Sequence, residues 1–177
     1  MTIADQFIER SRHYLAYEYP AKIAQCVDLL PHDALWQRTD PASNSIGNLL
    51  VHLEGNVRQW IVSSVGGATD SRHRASEFAA TGGADASQLF ARLRSTLDAA
   101  DAVIAALSPA DLGTPRHIQG RDVSVFDAVY HVVEHFSLHT GQIILLTKQL
   151  VPGRISFYED AGGLAIPRWR ERTEKEQ

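Results

Sequence analysis

Apolar residues recur at helical spacing in four separate stretches, and no stretch of useful length alternates with the period of two that a half-buried strand requires. From about Thr2 to Leu30 the repeating set is Ile3, Phe7, Ile8, Leu15, Ile23, Val27 and Leu30, interrupted at Pro20. Pro20 removes a backbone donor and biases Tyr19 away from the helical region, so the pattern predicts one kinked helix or two short ones, with any break there. Leu30-Pro31-His32-Asp33 ends this element, and a polar connection runs to Asn44. The second helix opens at Asn44-Ser45, either of which can cap it, and carries Ile46, Leu49, Leu50, Leu53, Val57, Trp60 and Ile61 on one stripe. His52 lies about 100° or more off the centre of that stripe, with Ser45, Asn56 and Ser63, which predicts a position bordering the core.

Gly66 to Gly83 is a long connection bracketed by double glycines. Connections longer than about 12–15 residues without regular structure are uncommon and often functional or disordered. Its Arg72, His73 and Arg74 suit either an anionic substrate group or plain solvation. Asp85-Ala86-Ser87-Gln88 has the form of a capping box, and Leu89, Phe90, Leu93, Leu97, Val103, Ile104 and Leu107 mark a third helix that stops before Pro109. The stretch from Asp111 to Asp122 reads as a loop, with strand limited to a short pairing near Arg116 to Val123. A second capping box, Ser124 to Asp127, opens the last helix, which continues to about Leu150 and ends at Val151-Pro152-Gly153. Beyond it, Phe157, Tyr158, Ile166 and Trp169 predict a tail that packs back on the helices, and the polar residues 170–177 are expected to fray. The expectation is an all-α fold in a single domain over residues 1–177.

The last helix carries the chemistry. Residues four apart on a helix differ by roughly 40° in direction, so His131, His135 and His139 stack on one face. Adjacent members have Cβ atoms roughly 5–6 Å apart, which lets two imidazoles grip one ion at about 2.0–2.1 Å each. His131 and His139 are about 12 Å apart along the axis. One ion can therefore take His131 with His135 or His135 with His139, and a further ligand must come from elsewhere. The same face holds Ser124, Ala128, Gln142, Leu146 and Gln149; Val132, Phe136 and Ile143 flank it on one side, Leu138 and Leu145 on the other, and Phe126, Val133 and Ile144 lie behind. A helix apolar on so many faces is buried centrally or between subunits. The pattern predicts a homodimer whose surface includes Phe126, Val133 and Ile144. Glu134 adjoins His135 and Glu54 lies two residues from His52, but they point about 100° and about 160° away from them on their helices; either suits a supporting role, and neither is placed as a base.

Composition narrows the setting. Seventeen Lys and Arg against twenty-one Asp and Glu give a net charge of −4 without a long basic run, which argues against nucleic acid. No stretch has the uninterrupted apolar length of a membrane span, and the N-terminus lacks a signal-peptide pattern, so a cytoplasmic protein is expected. Cys26 is the only cysteine and sits at helical spacing with Ile23, Val27 and Leu30; a buried structural thiol is expected, and no internal disulfide can form. At 177 residues the core needs no folding metal. No glycine-rich phosphate loop, Gly-x-Ser-x-Gly elbow or His-Glu-x-x-His motif is present.

Two segments together carry a family resemblance: Asn44-Ser45-Ile46-Gly47-Asn48-Leu49-Leu50-Val51-His52-Leu53-Glu54-Gly55-Asn56, and His135-Phe136-Ser137-Leu138-His139-Thr140-Gly141-Gln142. The chain resembles the DinB/YfiT-like superfamily over nearly its whole length. That resemblance implies a four-helix bundle in up-down-down-up order, commonly a homodimer, with one metal-binding His on the second helix and two on the fourth just before a Gly-Gln pair. Carried over, the ligands are His52, His135 and His139, and His131 becomes a neighbour of the site with Asn56 and Gln142. Where many relatives have Arg before the Gly-Gln pair, this chain has Thr140, so no role transfers from that position. The implied ion is divalent, zinc or nickel; three neutral imidazoles favour such ions over magnesium or calcium, and an open position beside three protein ligands is the arrangement of catalytic zinc.

Members of the superfamily with assigned chemistry are similar to thiol-dependent transferases, which implies a metal-dependent enzyme joining a low-molecular-weight thiol to an electrophile. Its cavity would be lined by His52, Asn56, His131, His135 and His139 and covered by the connection from Gly66 to Gly83. The alternative is a non-catalytic metal-binding or ligand-sensing module.

Overall fold

The computed structural model describes residues 1–31 and 33–169, so His32 and the expectation for 170–177 lie outside the described residues. The fold is predominantly helical, built on four long helical segments. The first comprises α1 (Ile3–His13), a π-helical turn over Tyr14–Glu18 and α2 (Tyr19–Leu29). Pro20 does not break this segment: Tyr19 stays helical at φ −69° and ψ −44°. A helical proline crowds and orphans the carbonyl four residues back. Here that carbonyl belongs to Ala16, the wide turn absorbs the crowding, and Arg94 donates to the Ala16 oxygen at 2.9 Å.

The second segment is α3 (Ile46–Val57) with a second π-helical turn, Arg58–Ser63. Its cap is Ser45, which exchanges hydrogen bonds with Asn48 in a fully buried capping box. The connection expected to be irregular contains a short helix, α4 (Arg74–Ala79), because side chains from elsewhere hold its carbonyls. Asn48 donates to Glu77 and Ala80 oxygens at 2.9 and 2.8 Å, and Arg38 donates to the Phe78 oxygen at 2.7 Å. The third and fourth segments are α5 (Ala86–Ala105) and α6 (Val125–Leu150), opened by the capping boxes at Asp85 and Ser124.

Between α5 and α6 the expected pairing is a hairpin of β1 (Pro115–Ile118) and β2 (Arg121–Ser124). Its turn places Gln119 and Gly120 both at positive φ, 53° and 74°, the geometry that matches the twist of a two-residue hairpin. A second hairpin, β3 (Tyr158–Ala161) and β4 (Leu164–Pro167), was not expected. It forms in a segment whose alternation is too short to register. Phe157 and Trp169 pack into the core as anticipated, whereas Tyr158 and Ile166 stay exposed on the hairpin.

One core runs between the segments: α2 and α3 each pack on both α5 and α6. Leu50, Leu53, Val57, Ile61, Leu93, Leu97, Ile104, Val132, Phe136 and Ile143 are fully buried, as is Cys26. Burial pushes the Cys26 thiol up to about 11 against a lowering hydrogen bond from Thr147, which leaves an inert structural residue. The core faces only one flank of α6. Val133 and Ile144 pack against the core of their own chain, and the Phe126 ring packs tilted against Phe7 with centroids 4.4 Å apart, so the surface drawn for a partner is partly used internally. The exposed apolar residues of α6 are Phe126, Tyr130, Leu138 and Leu145. Among the described residues no helix is long and apolar enough to cross a membrane.

Candidate metal centre

His52, His135 and His139 come together between α3 and α6, with ligand-type atoms all within 4.8 Å of one another. The Nε2 atoms converge: His135 Nε2 is 3.1 Å from that of His52 and 3.2 Å from that of His139. The margin position expected for His52 is corrected, since the residue is only 3 % exposed. The connection after α3 folds back over that side of the helix, and the polar row His52, Asn56 and Ser63 becomes interior. His135 and His139 keep partial exposure.

Partners on the far side of two rings set their protonation. The His52 Nδ1–H donates to Glu77 Oε2 at 2.7 Å, and the His139 Nδ1–H donates to Gln142 Oε1 at 2.7 Å. A neutral imidazole carries one proton, so each of these rings turns a bare Nε2 lone pair toward His135. At most one hydrogen, on His135 Nε2, can sit among three nitrogens. A divalent cation satisfies all three lone pairs at once, and neutral imidazoles are the donors that zinc and nickel take. The residues present therefore fit one such ion.

Electrostatics agree with neutral rings at His135 and His139. Burial pushes His135 down to about 3, with repulsion from His139, His52 and His131 adding to it. Burial also lowers His139, aided by His52 and opposed by the Gln142 hydrogen bond, and burial lowers His131. The unfolded chain has His135 near 6.5, so between about pH 6.5 and 3 the unfolded state binds the extra proton and stability rises with pH. The metal-free protein is expected to lose stability as pH falls through that window. Urea midpoints measured from pH 7 to pH 4 check this, and a flat profile would contradict a buried neutral His135.

His131 is not in the cluster. Its ring lies against Trp60 at 4.1 Å, its Nε2 accepts from Asn56 Nδ2 at 3.4 Å, and its ring is 5.3 Å from that of His135. Asn56 is buried beside it, while Gln142 is exposed and spent on His139. Thr140 faces the core. Neither glutamate close to a histidine in sequence reaches the centre: Glu54 pairs with Arg92 at 2.9 Å, and Glu134 is exposed. His117 pairs with Asp122 on the exposed hairpin.

Glu77 and Arg72 are the site residues that sequence reasoning did not single out in these roles. Arg72 is not free for an anionic substrate; it grips Glu77 with both arms, Nε to Oε1 at 2.7 Å and Nη2 to Oε2 at 2.9 Å. A 3.3 Å approach of Arg72 Nη2 to His52 Nδ1 follows from the shared Oε2 acceptor and is not a second bond to the ring. His73 and Arg74 are exposed, Arg74 lying over Phe78 at 4.8 Å, and the Phe78 ring packs on His52 at 4.7 Å. The available signals were the length of the connection and a glycine, Gly55, in the middle of an otherwise strong helix.

Residues 2–160 match the sequence family described as "Protein of unknown function (DUF1572)". The chain belongs to the DUF1572 family. The structure of this DUF1572 protein is similar to the crystal structure of a DinB-like protein from Bacillus cereus ATCC 10987, with a TM-score of 0.60 and 19 % identity over 75 % of this chain and 85 % of that one. At that identity the likeness carries the fold alone, a DinB-like one. No curated protein matches the DUF1572 chain in sequence.

Proposed function

We propose that this DUF1572 protein binds one divalent ion, zinc or nickel, through His52, His135 and His139, and uses the centre to join a low-molecular-weight thiol to an electrophilic small molecule. The observation that carries the reading is the convergence of Nε2 atoms at 3.1 and 3.2 Å while Glu77 and Gln142 hold the Nδ1 protons of the outer two rings. The bound ion would lower a thiol's pKa from about 8.5, so that a thiolate is available at neutral pH. The chain's own residues orient the donors, bury His52 from water and leave His135 and His139 partly open to an incoming ligand. The sulfur–carbon bond forms as the electrophile's leaving group departs or its strained ring opens, and the thiol proton goes to solvent. An up-down-down-up order of the four long segments, and a homodimer using exposed α6 residues such as Leu138 and Leu145, complete the reading.

A second reading, a non-catalytic metal-binding or ligand-sensing module, is favoured by one observation. The carboxylate in contact with the centre, Glu77, is committed to His52 and Arg72. The test loads the protein with zinc or nickel and follows the loss of free thiol with a panel of small thiols and a generic electrophile. Metal-dependent turnover that disappears in His135→Ala is the expected result. Thiol binding without turnover selects the second reading.

A further inference from the structure

A carboxylate buried beside a guanidinium contributes little to stability compared with apolar residues of the same volume. The pair formed by Arg72 and Glu77 is buried to a few per cent exposure on each side chain, and the fold makes several provisions for it. Gly55 leaves the face of α3 bare where the pair lies; a Cβ there would collide with the Glu77 carboxyl and sit 3.1 Å from Arg72 Nε. Asn48 and Arg38 pin the backbone carbonyls around Glu77. Gln59 accepts from Arg72 Nη1 at 3.0 Å and from Gln119 of the hairpin turn at 2.6 Å, while its amide donates to Asp70 at 2.7 Å. Arg72 donates to both carboxyl oxygens of Glu77, at 2.7 and 2.9 Å, and the His52 ring nitrogen meets one of them at 2.7 Å. The chain of contacts ends at one atom that matters chemically, His52 Nδ1.

We propose that Glu77 is a positioning residue of the metal centre: held by Arg72, its carboxylate fixes the tautomer and ring orientation of His52, so that the segment from Asp70 to Ala80 sets how tightly the ion is held. This rests on the metal-binding reading above. A carboxylate behind a ligating imidazole raises its basicity and locks its aim, and removing such a partner typically costs about 10–100-fold in metal affinity. Stability alone would not require the carboxylate to face the ring.

The test is a chelator competition with zinc, and a visible absorption spectrum with cobalt, on the full chain. Glu77→Gln is expected to weaken zinc binding by about 10–100-fold and to shift the cobalt bands, with far-ultraviolet dichroism close to wild type and a lowered metal-free urea midpoint, because Arg72 is left buried without its carboxylate. Gly55→Ala, which crowds Glu77 aside without altering it, is expected to weaken binding in the same direction. If Glu77→Gln fails to fold, Glu77→Leu with Arg72→Met leaves no unpaired charge buried and is expected to fold with the same weakening. Wild-type affinity and an unchanged cobalt spectrum in a folded Glu77 variant would overturn the positioning role while the metal centre stands. Failure of the wild-type chain to bind either ion would instead overturn the metal reading, and the inference with it.

Discussion

Replacing His135 with alanine is expected to abolish stoichiometric binding of a divalent ion while leaving the helical fold intact. His135 Nε2 stands between the other two nitrogens, at 3.1 and 3.2 Å, so its loss removes the donor that both neighbours share. Two separated imidazoles with no third ligand hold zinc far more weakly, and occupancy after exhaustive dialysis should fall from about one ion per chain to below about a tenth. His52→Ala and His139→Ala should behave alike. His131→Ala should stay near wild-type occupancy, because its ring is engaged with Trp60 and Asn56; an equal loss there would shift the assignment to the other adjacent pair. The fold should survive, since the core lies on the other flank of α6 and is complete without an ion. Metal analysis alongside far-ultraviolet dichroism reads both halves of the result, and full occupancy in His135→Ala would refute the site.

The largest stability effect is expected one residue further on. Phe136 is the largest fully buried side chain and stacks on Tyr19 at 5.7 Å. It points about 100° away from His135 on the same helix. Phe136→Ala removes its buried surface and leaves a cavity that surrounding helices cannot close, at a cost of about 3–5 kcal/mol. That is a large share of a typical domain's stability. Urea denaturation of the metal-free protein measures it, and a loss below about 1 kcal/mol would mean that the core is not packed as described. The fraction that remains folded should still bind the ion, which separates the two faces of α6 experimentally.

Much of the architecture was legible because periodicity and capping are local. The stripe from Ile46 to Ile61 is buried as its spacing predicts, and Asp85 and Ser124 open α5 and α6 as capping boxes. Local signals fell short where a distant group intervened. Pro20 left one kinked helix or two short ones open, and the segment runs on through a π-helical turn with Arg94, 78 positions away, donating to the Ala16 carbonyl. His52 looked marginal because a helical wheel knows only its own helix, whereas a later connection covers that side.

The sequence by itself determined that His131, His135 and His139 share one face, because helix geometry repeats every few residues, and that only an adjacent pair can serve one ion. The tertiary structure decided which pair meets His52, since crossing helices bring together residues 83 positions apart that no periodicity relates. It also decided the protonation of the site. Glu77 reaches His52 Nδ1 from 25 positions away, and such a contact is set by how a long connection folds back and is pinned through its carbonyls, which no pattern along the chain encodes.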